Sequence, residues 1–418
     1  PTYPGKFHYS SDPSRDGACQ FTFNAENCIL TPASGTPLVF DLGDVDLAVR
    51  NEWDLQLELY TGRHVTLRQF GAVFDRMAGE FIAAWRDRSI HCMLLEDLAP
   101  VGSFNAAAAV APASPIPAEV RIFKSNIAVL PLAATPYQWR LASIDSISFN
   151  SETYAVTLKS GDDRLVINKL AKKTEEFREK LQEQYDALRQ HSAEGMHQTF
   201  PFLDPDRLGQ LLSAMPEGRS VAFAKLAAIH AKLPEAIVQR AVNERLRPYF
   251  NALRDQSLQD SIMVGYKFIR EDEVEDDAEP AADSEAAEEN EQKAPLFFWF
   301  FFPLARPDGH HSGVAAWEAS TGSGRATYFF RTGQPGESSR LVEGAMQRLT
   351  QGLAVVNFRR EPVYLSDESL NQTPKFNRYA IGCRKMPVLR DLRAAFVGRA
   401  IHAELETWSA SVKKLTGS

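Results

Sequence analysis

The 418-residue sequence predicts an α+β protein of several domains, and three observations carry that prediction. Shifted by 99 residues, the first part of the chain pairs with itself: Asn27 with Asn126, Leu30 with Val129, Pro32 with Pro131, Leu42 with Leu141, Val45 with Ile144, Leu57 with Val156, Leu59 with Leu158 and Gly62 with Gly161. One inserted residue moves the shift to 100, where Val65 meets Leu165, Leu67 meets Ile167, Met77 meets Phe177, Phe81 meets Leu181 and Trp85 meets Tyr185. A long self-match that needs one insertion marks a duplicated module. In each copy, alternating strand patterns give way to a single stripe at helical spacing. The last part of the chain mixes strand and helix patterns and repeats neither copy.

In the first copy, residues 17–98, positions 19–23 alternate apolar and polar as a half-buried strand does. A second strand, 27–32, follows a turn at 25–27, and 38–42 and 45–49 supply two more. Residues 54–60, the turn Thr61-Gly62-Arg63 and 64–67 read as a hairpin with Gly62 at the tight position. The period then changes, and Phe70, Phe74, Met77, Phe81 and Trp85 fall on one helical stripe. The second copy, 118–191, repeats this order with strands at 120–123, 127–130, 137–141 and 155–159, a turn at Gly161, and a helix over 172–189 carrying Phe177, Leu181, Tyr185 and Leu188. Between the copies, 99–117 contains Ala106 to Ala109 and the run Pro112-Ala-Ser-Pro-Ile-Pro, and reads as an Ala/Pro linker.

Short antiparallel strands followed by one amphipathic helix resemble a pleckstrin-homology-like (PH-like) fold, in which the helix plugs one open end of a bent sheet. The resemblance covers roughly residues 17–95 and 118–190 and rests on element order and spacing. It implies two small β-barrel or sandwich modules, each capped by its C-terminal helix. It also implies binding modules, whose ligands are lipid headgroups, peptides or other proteins. Phosphoinositide-binding members of the family carry several Lys and Arg in the loop after the first strand. The loops read here at that place, 24–27 and 124–126, hold one lysine between them. Phosphoinositide binding is therefore not expected, and protein binding is what the resemblance leaves.

Residues 200–256 read as a helical connector, since Asp204-Pro205 offers an N-cap with proline at the first helical position and Leu233-Pro234 begins another helix. Residues 271–291 hold twelve Asp or Glu and no Lys or Arg, so 271–293 is expected to be a disordered acidic tether. The remainder, 294–418, reads as an α+β C-terminal domain. There 296–303 fits a fully buried strand, 314–319 and 325–331 an antiparallel pair, 339–356 a helix, and 362–365 and 379–382 short strands. A final helix over 387–415 would carry Leu389, Leu392, Phe396, Ile401, Leu405, Trp408 and Val412 as its stripe. That stripe suits packing on its own domain, or on a second copy of the chain in a homo-oligomer.

Apolar residues at 44% and charged residues at 24% are the balance of a globular chain. No run reaches the roughly 18 apolar residues of a membrane span, and the first residues lack the basic-then-apolar plan of a secretory signal. Four scattered cysteines, Cys19, Cys28, Cys92 and Cys383, suit neither a disulfide framework nor a paired zinc site. With a composition of bacterial type, these features lead to the expectation of a cytoplasmic protein. The net charge of −8 comes from the acidic run, because outside it 46 basic residues face 42 acidic ones.

Chemical motifs are sparse. His310-His311 predicts a turn and no metal site, since adjacent residues rarely ligate one ion and no Cys or spaced carboxylate completes a tetrahedral set. His91 beside Cys92 reads as helix-end packing, because a nucleophile and its base meet through the fold. The turn Gly322-Ser-Gly324-Arg lacks the Lys-Ser/Thr ending of a nucleotide loop. No cofactor is expected, and an enzyme using Glu318, Arg325 and Glu361 is the third-ranked reading. The basic residues Arg359, Arg360, Lys375, Arg378, Arg384, Lys385, Arg390 and Arg393 cluster among Phe358, Tyr364, Phe376 and Tyr379. Such a surface would serve nucleic acid, with aromatics stacking on bases, or an acidic protein. In that case the acidic tether would act as an intramolecular competitor. An ordinary solvated surface is the plainer alternative. The leading expectation is a non-catalytic scaffold or adaptor subunit of a larger assembly, binding protein partners through its tandem modules. A nucleic-acid-associated accessory factor comes second.

Overall fold

In a computed structural model of the chain, residues 2–95, 98–269, 296–320 and 326–416 are described. The acidic run 271–293, Gly322, Gly324 and Arg325 lie outside the described residues. The chain divides into two compact units, residues 1–186 with 365–390, and 187–364 with 391–418.

In the first unit each copy forms seven strands and a helix, the second helix running on past Asp186. The first copy comprises β1 (Thr2–Tyr9), β2 (Arg15–Phe23), β3 (Asn27–Pro32), β4 (Leu38–Asp41), β5 (Val45–Arg50), β6 (Asp54–Leu59), β7 (His64–Arg68) and helix α1 (Phe74–Cys92). The second comprises β8 (Gly102–Val110), β9 (Ile116–Ile122), β10 (Asn126–Pro131), β11 (Tyr137–Arg140), β12 (Ser146–Asn150), β13 (Ala155–Ser160), β14 (Asp163–Asn168) and helix α2 (Thr174–Thr199). The sheets run β4-β3-β2-β1-β7-β6-β5 and β11-β10-β9-β8-β14-β13-β12, so the repeated hydrophobic pairs are a repeated topology. The strand pairings in both sheets are antiparallel among the described residues, and each sheet with its helix fits a PH-like sandwich.

Small features recur with the same spacing. Short 3-10 turns lie at Leu42–Asp44 and Leu141–Ser143, and again at Gly71–Val73 and Ala171–Lys173. Left-handed backbone precedes each helix at Gln69 (φ 59°) and Lys169 (φ 56°). Each helix is tethered to its sheet by the polar end of one aromatic. Trp85 Nε1 donates to Val45 O at 2.9 Å, and the hydroxyl of Tyr185 donates to Ile144 O at 3.3 Å.

Both copies begin one strand earlier than the sequence pattern suggested. β1 carries Pro4, which is tolerated because β7 pairs only with Lys6 to Tyr9 and leaves Pro4 one strand neighbour. Residues 99–117, expected to be a linker, hold β8 and the start of β9, the counterparts of β1 and β2. Ala107, Ala108 and Ala109 are buried there, in the middle of the sheet. The loops that follow the true first strands, 10–14 and 111–115, contain no Lys or Arg.

The two copies pack on each other. β3 alternates buried and exposed residues, whereas β10 is buried along its whole length. The reason is a small cluster in which Phe123, Ala128 and Leu130 meet Ile90, Met93 and Leu95 from the end of the first copy's helix. Ion pairs Arg86–Glu119 (3.3 Å) and Arg121–Asp87 (2.8 Å) also link the copies, and Gln138 Nε2 donates to Met93 O at 2.6 Å.

The second unit is built on a six-stranded antiparallel sheet whose strands lie side by side in chain order. It opens with α3 (Pro205–Ala214), β15 (Ser220–Ala222), α4 (Phe223–Ile229), α5 (Leu233–Ala241) and α6 (Arg247–Asp255). Asp204 caps α3 as expected, accepting from Arg207 N at 2.8 Å. Then follow β16 (Met263–Phe268), β17 (Leu296–Ala305), β18 (His311–Ala319), β19 (Ala326–Arg331), α7 (Ser339–Val355) and α8 (Glu361–Tyr364). The connector helices share one core with the sheet. Along β17 the aromatic run splits with period two. Phe300 and Phe302 meet Phe250 of α6 at 5.0 and 5.1 Å, while Trp299 lies 4.1 Å from Phe358. Gly265 pairs with Trp299 across the ladder, and a β-carbon there would come within 2.2 Å of the indole.

His311, at the start of β18, is buried; its Nδ1 accepts from Gly313 N and its Nε2 meets Thr332 Oγ1. Burial holds its pKa below the ordinary imidazole value. An unfolded chain then binds this proton more readily, so this contribution to stability is present above about pH 6.5 and is lost as the pH falls below it. In histidine NMR titrations His311 should titrate below 6.5, and the acid loss of stability should be smaller in His311→Gln than in the wild type.

The chain then returns to the first unit through α9 (Asp367–Gln372) and α10 (Asn377–Lys385), and goes back through α11 (Pro387–Ala395) to β20 (Phe396–Ile401) and α12 (Leu405–Thr416). Two expectations are corrected here. Residues 362–365 and 379–382 were expected as strands, but α8 and α10 occupy these places. The expected single helix over 387–415 is interrupted by β20, which pairs with β19. Gly398 lets Leu415 of α12 lie against this strand, where a β-carbon would come within 2.5 Å of Leu415 Cδ2. Trp408 and Val412 are buried in their own unit. Among the described residues no helix is long and apolar enough to cross a membrane.

Candidate functional site

The eight basic residues predicted to form a surface are divided by the fold. Arg359, Arg360 and Arg393 belong to the second unit; Lys375, Arg378, Arg384, Lys385 and Arg390 belong to the first. Arg359 donates its backbone N–H to Val356 O, Arg360 lies beside Tyr328, and Arg393 donates to Pro362 O. Lys375 sits over the ring of Phe376, and Arg378 bonds the hydroxyl of Tyr379. Three residues come together at the end of α10. Arg384 donates to Asp44 Oδ1 at 2.7 Å and to Asn371 at 2.8 Å, and its guanidinium lies over Tyr60. Lys385 donates to Val45 O at 2.7 Å and lies 3.8 Å from Asp46, while Arg390 closes the helix by donating to Arg384 O and Lys385 O. Burial lowers the pKa of Lys385 and raises that of Asp46. These cations anchor α10 on the first copy, with Ile381 close to Gly43 and Gly382 close to Leu94.

The other predicted groups are placed as follows. Cys92 ends α1, and burial pushes its thiol up to about 11, away from nucleophilic use at neutral pH. Glu318 is fully buried; its Oε2 accepts from Thr327 at 2.7 Å and lies 3.2 Å from His402 Nε2. Trp408 Nε1 donates to the same Thr327 hydroxyl, and His402 stacks on Tyr249 at 4.2 Å. This network ties β18, β19 and α12 together. Glu361 opens α8, and Arg325 lies outside the described residues. No group of three or more His, Cys, Asp or Glu able to hold a metal occurs among the described residues.

The site best built for a ligand was not read from the sequence. β12 ends the second copy's sheet, so one of its edges carries no strand neighbour among the described residues. Its residues alternate between exposed and half-buried, which leaves Ile147 and Phe149 on one face. Between β12 and the first turns of α2 runs a groove of about 540 Å³, with Ile147, Phe149 and Val156 as its apolar lining. Tyr154, in the turn after β12, is 63% exposed, has left-handed backbone (φ 51°) and meets Phe149 edge-on at 6.3 Å. A bulky residue held in that conformation on the surface is uncommon. The α2 side of the groove presents Glu175, Arg178, Glu179, Gln182 and Glu183. Arg178 lies over Phe149 at 4.2 Å and pairs with Glu175 at 2.7 Å.

The corresponding place in the first copy carries an ion pair. There Arg50 reaches from β5 to the first turn of α1, pairing with Asp75 at 2.6 Å and lying over Phe74. At the other end of β5, Lys385 occupies the carbonyl of Val45. A second cleft of about 670 Å³ in the second copy is lined by Lys169, Lys172 and Lys173, where the first copy has Gln69, Ala72 and Val73. Its one acid, Glu119, is held by Arg86 and Arg121. No protein-family model matches this chain, and no curated protein matches it.

Proposed function

We propose that the protein is a non-catalytic adaptor whose second module takes up an extended segment of a partner protein along β12. The observation that carries this reading is the unpaired edge of β12 beside an open groove. An exposed strand edge offers a row of N–H and C=O groups to a peptide backbone, and the adjacent groove selects its side chains. The PH-like arrangement of the module agrees with a binding role, though fold alone assigns no function. A nucleic-acid partner has less support, because Arg384 and Lys385 are engaged with Asp44 and Val45. The test is selection of random peptides on the full chain, followed by backbone amide exchange. Selected peptides should slow exchange across residues 146–150 and leave 45–50 unchanged. A library that yields no binder, or binders that leave 146–150 unprotected, would remove the reading.

A further inference from the structure

The β12 groove has a chemical bias. Glu175, Glu179 and Glu183 are spaced four residues apart on α2 and share the face that lines the groove. Glu175 is already held by Arg178. Glu179 and Glu183 are exposed and have no basic partner among the described residues. Arg178, the one cation lining the groove, is taken up by Glu175 and by the face of Phe149. An incoming segment therefore meets an apolar floor and two free carboxylates.

The duplicate copy holds a basic segment too, at the opposite end of its own edge strand. Against the start of β5 and the end of α1 it seats α10, a stretch of this same chain. Ile381 of α10 lies close to Gly43 and Cys92, Arg384 meets Asp44, and Lys385 meets Asp46 and the first carbonyl of β5. An apolar side chain followed by two cations is thus what one copy already holds at its edge strand.

We infer that the β12 groove takes a segment rich in Lys and Arg around one or two apolar residues, the apolar groups lying on Phe149 and Tyr154 and the cations on Glu179 and Glu183. This rests on the strand-addition reading above. The test uses the full chain and three labelled nine-residue peptides with identical apolar residues, the other positions being all Lys, all Ser or all Glu. Fluorescence anisotropy at low salt should give the Lys peptide at least tenfold tighter binding than the Ser peptide, with the gap closing as salt rises. The Glu179→Lys, Glu183→Lys double variant should weaken the Lys peptide at least tenfold with an unchanged unfolding midpoint, since both side chains are exposed. Equal binding of the Ser and Lys peptides, with residues 146–150 protected from exchange, would overturn the charge preference while leaving strand addition standing. Binding of the Lys peptide undiminished in the double variant would overturn the site, and no binding or protection with any peptide would overturn both.

Discussion

Replacing Trp85 with alanine should destabilise the first unit by about 4 kcal/mol, within the range for deleting a buried aromatic. The indole is 1% exposed and packs within the core of the first copy. It also joins α1 to β5 through its bond to Val45 O, the carbonyl that receives Lys385 as well. Trp85→Ala therefore opens a cavity at the junction of sheet, helix and α10. Trp85→Phe keeps most of the volume and leaves Lys385 on the carbonyl, so it should cost about 1–2 kcal/mol. Tyr185→Phe, which removes the matching and longer bond in the second copy, should cost less than about 1 kcal/mol. Urea unfolding of the three variants checks the order. A Trp85→Ala cost no larger than that of Tyr185→Phe would show that the junction is not a structural keystone.

Asp41→Ala is the second large effect, at about 3 kcal/mol. Arg88 is buried on α1, and Asp41 receives it through two bonds, Nε at 2.9 Å and Nη2 at 2.6 Å. The same carboxylate also accepts from Gly43 N and so caps the turn at Leu42–Asp44. Without Asp41, Arg88 keeps only Glu26 among the described residues, at 3.9 Å and itself exposed. A buried guanidinium stripped of its partner is penalised more than the pair was worth. Adding Arg88→Met to Asp41→Ala should therefore recover at least half the loss, a coupling that a double-mutant cycle measures. Purely additive losses would assign the effect to the cap.

Why some elements could be read from the chain and others could not follows from the forces that made them. The paired apolar positions from Asn27 to Trp85 and their counterparts are core residues, and core periodicity is local information. β1 and β8 escaped because Pro4, Gly5 and the alanines after Asn105 carry no strand signal; pairing in the centre of a sheet makes them strands. The stripe over 387–415 has helical spacing, but two of its members, Phe396 and Ile401, lie in β20 and pair with β19 instead of continuing a helix. The basic cluster was visible as composition. Its use was not, because Asp44 and Asp46 stand about 340 positions upstream of Arg384 and Lys385. The β12 groove left two traces that were available, the alternation of Ile147 and Phe149 and the four-residue spacing of the glutamates on α2. Only the fold puts them side by side.

The path of the backbone has a consequence for biogenesis. The first unit is left at Asp186 and completed by residues 365–390. A ribosome adding roughly 5–20 residues per second spends about 10–40 s between those points. During that interval the nascent first unit stands without α10, with the acids Asp44 and Asp46 unneutralised and the end of α1 uncovered. Until residues 365–390 have been made, its α10 seat is open to any basic helix in the vicinity, and a chaperone or a neighbouring nascent chain would meet it there first.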